Sequence, residues 1–296
     1  MLRTNEKQLV EIAVQGRVAP AVFYGPYEVS HQGKAESLPS LGGITYNVKV
    51  GDPVCGWVGD HIEPGVSAIV DPDKRSDRVN QAFNFLACAG NEARVVSGGA
   101  KGARGTVIGH HGGVEHVLID FTDRDLRRMT LDDKILIRTF GQGLKLLDFP
   151  DVHVFSLAPA VLARWGLKRN RDGTLAVPVT TGVPAEAMGS GLGSQPAALG
   201  DYDIMTSDPE TTRKHGLDRL RFGDFVAILD HDNRYGRALR RGAITVGIVI
   251  HSDSVLAGHG PGVTTLLTAD RPVIRPVVRR NANLGRLLGL GRFRRN

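Results

Sequence analysis

The chain has 296 residues, of which 41% are hydrophobic and 23% are charged, as is typical of a soluble globular protein with a substantial core. Its 37 glycines and frequent Val, Ile and Thr favour strands joined by tight turns. The start of the chain lacks an apolar signal region, and no stretch approaches the roughly 20 apolar residues that span a bilayer. The sequence therefore predicts no membrane span and a location in the cytoplasm.

The net charge of +6 is concentrated at the C-terminus. Residues 271–296 contain eight Arg and no Lys, Asp or Glu, which leaves 29 basic and 31 acidic residues, a net charge of −2, in the rest of the chain. Blocks of like charge are usually solvated and disordered, and some bind nucleic acid or anionic surfaces. We therefore expect a nearly neutral body and a disordered, Arg-rich tail over 271–296, through which nucleic acid is a candidate partner.

Helical periodicity is scarce, and it predicts three short helices, over residues 80–90, 159–167 and 208–220. Asp208 is the expected N-cap of the third helix, with Pro209 at its first position. Elsewhere, short runs of Val, Ile and Leu alternate with clusters of Gly, Asp and Asn, which is typical of strands and turns. The predicted fold class is mainly β, with a small SH3-like barrel unit, a larger C-terminal β-domain and few short helices.

Residues 91–140 are predicted to form the small barrel unit, within an N-terminal β-rich domain over 1–150. The C-terminal β-domain is expected over 151–270. Within the unit, VVSGGAKGARGTVIG (95–109) resembles the KOW motif of ribosomal proteins and transcription elongation factors, which forms part of an SH3-like barrel. Lys101 and Arg104 are the candidate nucleic-acid contacts there. Since aromatic stacking residues are absent, a structural role is favoured over RNA binding.

Three acids each stand in a turn just before an extended run, in VGDPV, LDDKILI and FGDFVAI. We interpret Asp52, Asp133 and Asp224 as turn residues that accept hydrogen bonds from the local backbone.

Three histidines lie close together in GHHGGVEH, residues 109–116. His110 and His111 are adjacent, so they point to opposite faces of a strand and share a metal only if the chain turns sharply. Together with His116, they are predicted to belong to a surface hairpin turn.

Polar groups follow two apolar strands in the C-terminal part. FVAIL (225–229) precedes DHDN, and AITVGIVI (243–250) precedes HSD. If the strands are parallel neighbours, both groups emerge at one end of the sheet, whereas in an antiparallel hairpin Asp230 and His251 lie at opposite ends. Carboxylates and imidazoles together suit a divalent ion such as Zn, Mn, Fe or Ni. The candidate ligands of this divalent metal ion are Asp230, His231, Asp232, His251 and Asp253.

Imidazoles titrate near neutral pH, so His231, His251 and His259 are also candidate catalytic groups. Around His259, the run AGHGPG forms either a tight turn or a loop that brings backbone N–H groups close to an anionic ligand. The candidate substrate contacts are Gly258, Gly260, Gly262, Asp201 and Asp203.

Long stretches resemble a bacterial and archaeal family catalogued as domain of unknown function 4438. They include AGNEARVVSGGAKGARGTVIGHHGGVEHVLIDF, DDKILIRTFGQGLKLLDFPDV, GDYDIMT and LRFGDFVAILDHDNRYGRALRRGAITVGIVIHSDSVLAGHGPGVTTLLT. The resemblance spans most of residues 20–270 and implies a β-rich protein with an N-terminal and a C-terminal part. It implies no established activity. A fainter resemblance, to acetamidase/formamidase amidohydrolases, rests on GDYDI, FGDFVAILD and GAITVG; the Gly-Asp-Gly-Glu pattern of those hydrolases is absent.

The leading functional hypothesis is a metal-dependent hydrolase that acts on a small amide-like or carboxylate substrate. It requires the C-terminal Asp and His side chains to converge within about 4–6 Å in a cleft. One alternative is a nucleic-acid-binding module, against which the nearly neutral body argues. The other is a non-catalytic, small-ligand-binding homo-oligomer assembled through exposed strand edges.

Overall fold

The structure, a computed structural model, describes residues 2–23 and 25–295, which form 17 strands and five short α-helices. The N-terminal half contains β1 (Ile12–Val18), β2 (Glu28–Val29), β3 (Ala35–Glu36), β4 (Ile44–Thr45), β5 (Gly65–Ile69), α1 (Arg78–Leu86), β6 (Glu92–Val95), β7 (Arg104–His111), β8 (His116–Asp120), α2 (Asp123–Leu126) and β9 (Lys134–Thr139). The C-terminal half contains β10 (His153–Val154), α3 (Pro159–Trp165), β11 (Lys168–Arg169), β12 (Leu175–Val179), β13 (Thr181–Val183), α4 (Pro209–His215), β14 (Phe225–Asp232), β15 (Ala238–Val249), β16 (Val263–Ala269), β17 (Ile274–Val278) and α5 (Leu284–Leu288). The mainly β fold class is confirmed.

Six antiparallel strands of the N-terminal half close into a barrel in the order β1-β9-β6-β7-β8-β5, with β5 pairing back onto β1. Strand β4 extends the sheet from β5. Fully buried branched side chains, among them Val107, Ile119 and Ile135, fill its core. The unit expected over 91–140 supplies four of these strands, and β1 and β5 complete the closure.

The KOW-like segment forms the β6–β7 hairpin. Lys101 lies in its exposed turn, and Arg104 lies at the exposed start of β7. Binding of RNA by these two residues stays a prediction.

The C-terminal half contains a five-stranded sheet in the order β10-β16-β15-β14-β13. A three-stranded sheet, β11-β12-β17, lies beside it. Ile108 and Leu118, from barrel strands, belong to the same apolar cluster as Phe225, Val246 and Leu266 from the five-stranded sheet. The barrel and the C-terminal sheet therefore share a continuous core, which holds their facing loops in fixed positions.

The three turn acids are confirmed. The carboxylates of Asp52, Asp133 and Asp224 each accept a hydrogen bond of 2.9 Å from the backbone N–H three residues earlier in the chain. The donors are Lys49, Thr130 and Arg221.

The three predicted helices are also confirmed, as α1, α3 and α4. Asp208 caps α4 by accepting hydrogen bonds from two backbone N–H groups, and Pro209 is its first residue. The helix ends earlier than predicted because Gly216 adopts a left-handed conformation, with φ 66°.

The structure differs from the expected disordered tail over 271–296. Strand β17 pairs in parallel with β12, and α5 packs through the fully buried Leu284. Arg292 forms an ion pair with Asp52 at 2.7 Å, and Arg294 forms one with Asp120. The prediction weighed the arginines and not the apolar residues between them. These apolar residues bury enough surface to order the segment.

Among the described residues, no helix has the length and apolar character needed to cross a membrane.

Substitution of Leu284 tests the packing of this C-terminal segment. Leu284→Ala is expected to lower the free energy of unfolding by about 2–5 kcal/mol, because the side chain is fully buried. Val278→Ala, at a position 61% exposed in the same segment, is the control and should change it by less than about 0.5 kcal/mol. Chemical denaturation measures both changes. If both variants lose equally little stability, Leu284 is not packed and the segment is a disordered tail.

Candidate metal centre

Nine ionisable side chains meet where loops of the barrel face loops of the C-terminal sheet. The barrel half supplies five of them, from the loop before β5 and from the β7–β8 hairpin. The C-terminal half supplies four, from the loops before α4 and β16 and from the end of β15. All are buried except one His side chain that is 33% exposed. They are Asp60, His61, Glu63, His111, His116, Asp201, Asp203, His251 and the partly exposed His259.

Among the described residues, two groups of three side chains could hold a metal ion, since the ligand atoms within each group lie within 4.8 Å of one another. The outer group is His61, Asp203 and His259, and the inner group is His111, Asp201 and His251. Imidazole nitrogens with carboxylate oxygens suit Zn, Mn, Fe or Ni.

The inner group is buried, and two of its atoms have no hydrogen-bond partner in the part of the chain that the structure describes. His251 Nε2 lies 2.8 Å from Asp201 Oδ2, yet the two atoms do not meet in a direction that allows a hydrogen bond, and both are buried without a partner. The rings of His111 and His251 stack with centroids 4.2 Å apart. Buried polar atoms normally have partners. A cation between these ligand atoms would supply the missing one.

Asp203 connects the two groups. Its Oδ2 lies 3.0 Å from His259 Nδ1 and 3.6 Å from His61 Nε2 in the outer group. Its Oδ1 lies 3.5 Å from His251 Nε2 in the inner group. The carboxylate thus has one oxygen facing each group, so Asp203 would contribute a ligand atom to an ion held by either group.

The histidines are held from behind through their Nδ1 atoms. Nδ1 of His61 contacts Asp60, Nδ1 of His111 lies 2.6 Å from Glu63 Oε1, and Nδ1 of His251 lies 2.9 Å from the Ser252 carbonyl. Metal-binding histidines are usually oriented through the ring nitrogen that does not bind the ion. The Nε2 atoms of His111 and His251 therefore remain for a ligand, while that of His61 lies 3.1 Å from Nδ1 of His259, its neighbour in the outer group.

Glu63 fixes the base of the site. It is 1% exposed, contacts His116 Nδ1 at 3.0 Å through each oxygen, and accepts a 2.7 Å hydrogen bond from Gly42 N–H. Burial would raise the pKa of Glu63, but the two neighbouring histidines outweigh burial and hold it well below its usual value. The residue is thus an anion that orients imidazoles.

The buried acids raise the pKa of two histidines of the centre, whereas burial lowers that of His111. Burial favours a low pKa for His61, but the neighbouring carboxylates of Asp203 and Asp60 outweigh it and raise the pKa to about 9. Burial is likewise outweighed at His251, where Asp201 and Asp203 raise the pKa well above the usual value. The site therefore attracts positive charge, and a divalent ion would compete with these protons.

Four candidate residues from the sequence lie in this centre: Asp201, Asp203, His251 and His259. Asp253 lies at its edge, where its backbone carbonyl accepts a 3.2 Å hydrogen bond from His61 N–H. Its carboxylate accepts one of 2.8 Å from Ser254 N–H.

The other candidates are separated from the centre because β14 and β15 pair antiparallel, which puts Asp230 and His251 at opposite ends of the pair. Asp230 lies in a bulge, with φ 56°, and accepts a 2.6 Å hydrogen bond from Gly242 N–H. Asp232 forms an ion pair with Arg234 at 2.9 Å. The polar residues that follow β14 therefore do not join those that follow β15 in one group of metal ligands.

His231 lies behind the centre. Its Nε2 is 2.9 Å from the hydroxyl of Tyr202, and its Nδ1 is 3.0 Å from the Leu229 carbonyl. Because Tyr202 separates Asp201 from Asp203 in the chain, His231 supports the loop that carries both acids.

The glycines of 258–262 permit close backbone packing. A Cβ atom at Gly262 would lie 1.9 Å from Asp201 Oδ2 and 2.2 Å from His251 Nε2. One at Gly260 would lie 1.9 Å from the Ile204 carbonyl oxygen, and Gly258 has φ +78°. Only a residue without a side chain lets the chain pass so close to the inner group.

The three histidines of the 110–116 hairpin are buried, contrary to the predicted surface position. His111 and His116 are cross-strand partners, and both contact Glu63. His110 is held elsewhere, with its backbone N–H 2.9 Å from the hydroxyl of Thr264 in β16. The prediction that His110 and His111 point to opposite faces is confirmed. The sequence of the hairpin does not indicate that the C-terminal half packs over it.

Sequence reasoning missed Asp60, His61 and Glu63. They stand in GDHIEPGV, where an acid, an imidazole and a second acid occur within four positions. That density of ligand-type residues was an available signal. His61 also adopts φ 50°, which is uncommon for a residue other than Gly.

Comparison with known proteins identifies the family. A family model described as "Domain of unknown function (DUF4438), N-terminal" matches residues 27–163, and its C-terminal counterpart matches residues 164–288. The chain belongs to the DUF4438 family. A solved structure titled "Crystal structure of TM1086" matches with a TM-score of 0.90 and 48% identity, over 96% of this chain and 98% of that chain. A search of curated proteins found no significant match.

In this DUF4438 protein the centre draws on both family domains. His61 and His111 lie in the range of the N-terminal domain, while Asp201, Asp203 and His251 lie in that of the C-terminal domain. Neither domain carries the whole ligand set, so the centre depends on their packing.

Gly262→Ala tests the close approach at the inner group. The added Cβ would overlap Asp201 and His251, so we expect the substitution to lower the free energy of unfolding by about 1–3 kcal/mol. Gly182→Ala is the control, because its nearest contact would be 3.6 Å from a flexible Leu side chain. If both variants unfold alike in urea, the packing inferred around Gly262 is incorrect.

Proposed function

We propose that this DUF4438 protein is a divalent-metal-dependent hydrolase that acts on a small amide-like or carboxylate substrate. The observation that carries the proposal is the position of Asp203, whose two oxygens face two adjacent groups of His and Asp ligands. A shared carboxylate between two ion sites is suited to a hydrolytic centre in which one ion activates water and both stabilise the developing charge.

A cavity of about 730 Å³ opens onto the centre. His61, His111 and His259 line it, together with Asp201 and Asp203. This volume suits a small organic molecule rather than a polymer. A substrate in the cavity would therefore lie directly against the ligand groups, where hydrolysis requires it.

The proposed reaction adds water across an amide C–N bond. The water oxygen bonds to the carbonyl carbon, the C–N bond breaks, and the leaving amine takes up a proton that the water releases. Bound ions would supply an acidic water and a polarised carbonyl. His259, at the rim of the centre and 3.0 Å from Asp203, is the candidate that carries the proton, in which case His61 and Asp203 would hold the outer ion.

The other histidines proposed as catalytic groups take different roles. His251 is fully buried in the inner group, and we assign it as a ligand. His231 contacts Tyr202 and acts as a positioning residue. Assembly as a homo-oligomer, binding of nucleic acid and a cytoplasmic location stay predictions of the sequence.

Elemental analysis of the purified, tag-free protein tests the centre. We expect about two divalent ions per chain, as in two-ion hydrolases. His61→Ala and His251→Ala should each remove at least one ion, while His231→Ala should lower the content less, because its ring contacts Tyr202 rather than a ligand atom. His153→Ala, outside the centre, is the control for handling losses. A wild-type protein that neither contains nor takes up Zn or Mn would refute the metal centre.

Hydrolysis of small amides by the metal-loaded protein tests the reaction. Chelation should abolish turnover and added metal should restore it. Asp203→Asn, which removes the charge of the bridging carboxylate, is expected to lower kcat/KM by about 100-fold or more. Turnover that survives both treatments would place the chemistry elsewhere.

A further inference from the structure

We propose that Arg237 binds a carboxylate group of the substrate, so that the substrate is an anionic amide held by its charged end. This inference rests on the hydrolase proposed above and specifies which substrates it takes. It assigns to Arg237 a binding role that the sequence did not indicate.

Arg237 is buried without an anionic partner. Arg237 is only 3% exposed. One of its Nη atoms donates a 3.2 Å hydrogen bond to the Leu199 carbonyl, and its Nε has no hydrogen-bond partner among the described residues. Among residues 2–23 and 25–295, no Asp or Glu forms an ion pair with it, whereas nearby Arg234 pairs with both Asp232 and Asp270 at 2.9 Å. A buried guanidinium normally has such a partner, because leaving the charge uncompensated is costly.

Arg237 lines the same cavity as the ligand groups. His61, Asp203 and His259 face that cavity from the centre, and Arg237 and Gln195 belong to its wall. An anion bound at Arg237 therefore lies in the same space as the metal ligands. One small molecule can reach both.

The position of Arg237 is fixed by the loop opposite. Its backbone N–H donates a 3.2 Å hydrogen bond to the Ser194 carbonyl, and its carbonyl accepts one of 2.8 Å from Gly193 N–H. The guanidinium carbon lies 5.8 Å from the centre of the Tyr202 ring. Tyr202 stands between Asp201 and Asp203 in the sequence. A guanidinium presents its N–H donors in a planar fork that matches the two oxygens of a carboxylate.

The two acids that most affect the charge of Arg237 already contact histidines. Asp201 and Asp203 act on its charge, but Asp201 contacts His251 and Asp203 contacts three imidazoles. Ions bound at these acids would neutralise them further and leave the guanidinium without compensation. A substrate carboxylate supplies the missing negative charge.

A matched pair of probes tests the proposal. N-acetylglycine carries a carboxylate beside an amide, and N-acetylglycinamide is its neutral analogue. Titration calorimetry with the full-length, metal-loaded protein should show that N-acetylglycine binds at least about tenfold more tightly. Arg237→Gln should remove this difference, and Arg237→Lys should retain part of it. Arg234→Gln is the matched control and should keep the full difference, because Arg234 is paired with other acids.

Three outcomes would overturn the proposal: equal affinity for the two probes, no binding of either, or a carboxylate preference that survives in Arg237→Gln. Strong competition by inorganic phosphate without binding of N-acetylglycine would replace carboxylate by phosphate and also overturn it. Metal content, measured on the same samples, separates this test from that of the hydrolase. A variant that keeps its metal but loses the preference supports Arg237 alone, whereas a metal-free protein with the preference refutes only the hydrolase.

Discussion

The buried carboxylate of Asp203 is the group on which the rest of the centre depends. It contacts imidazoles from the barrel and from the C-terminal sheet, at 3.0 Å to His259, 3.5 Å to His251 and 3.6 Å to His61. A carboxylate removed from water needs compensation by positive charge or hydrogen bonds. That requirement links the two halves of the chain, because neither half alone supplies all three histidines.

Close backbone contact between the halves makes this convergence possible. Gly109 of β7 faces Thr264 of β16, and a Cβ on Gly109 would lie 2.7 Å from the Thr264 hydroxyl. Gly112 and Gly200 meet across the same junction, and Gly112 N–H donates a 2.7 Å hydrogen bond to Asp201. Glycines on both sides allow the strands to approach until side chains beyond them meet. The shared apolar core then keeps the junction rigid, as a pre-organised site requires.

Charge is used differently inside and outside the centre. Toward the C-terminus, Arg292 and Arg294 pair with Asp52 and Asp120 of the N-terminal half and help to hold the last segment on the body. In the cavity, Arg237 forms no ion pair with any residue that the structure describes. The paired arginines stabilise the fold, whereas the buried Arg237 is the proposed contact of the substrate carboxylate.

The sequence by itself determined the features that depend on neighbours in the chain. The mainly β class, the three turn acids and the Asp208 cap all follow from contacts between residues a few positions apart. It also indicated Asp201, Asp203, His251 and His259, because ligand-type residues gathered beside apolar strands.

Only the tertiary structure decided which of these side chains share a site. His61 and His259 are 198 positions apart, and His110 and Thr264 are 154 apart. Contacts of this kind depend on strand direction and on the packing of barrel against sheet, and no local pattern encodes either. For the same reason the antiparallel pairing of β14 and β15 removed Asp230 from the centre, while burial between the halves turned a histidine hairpin into part of it.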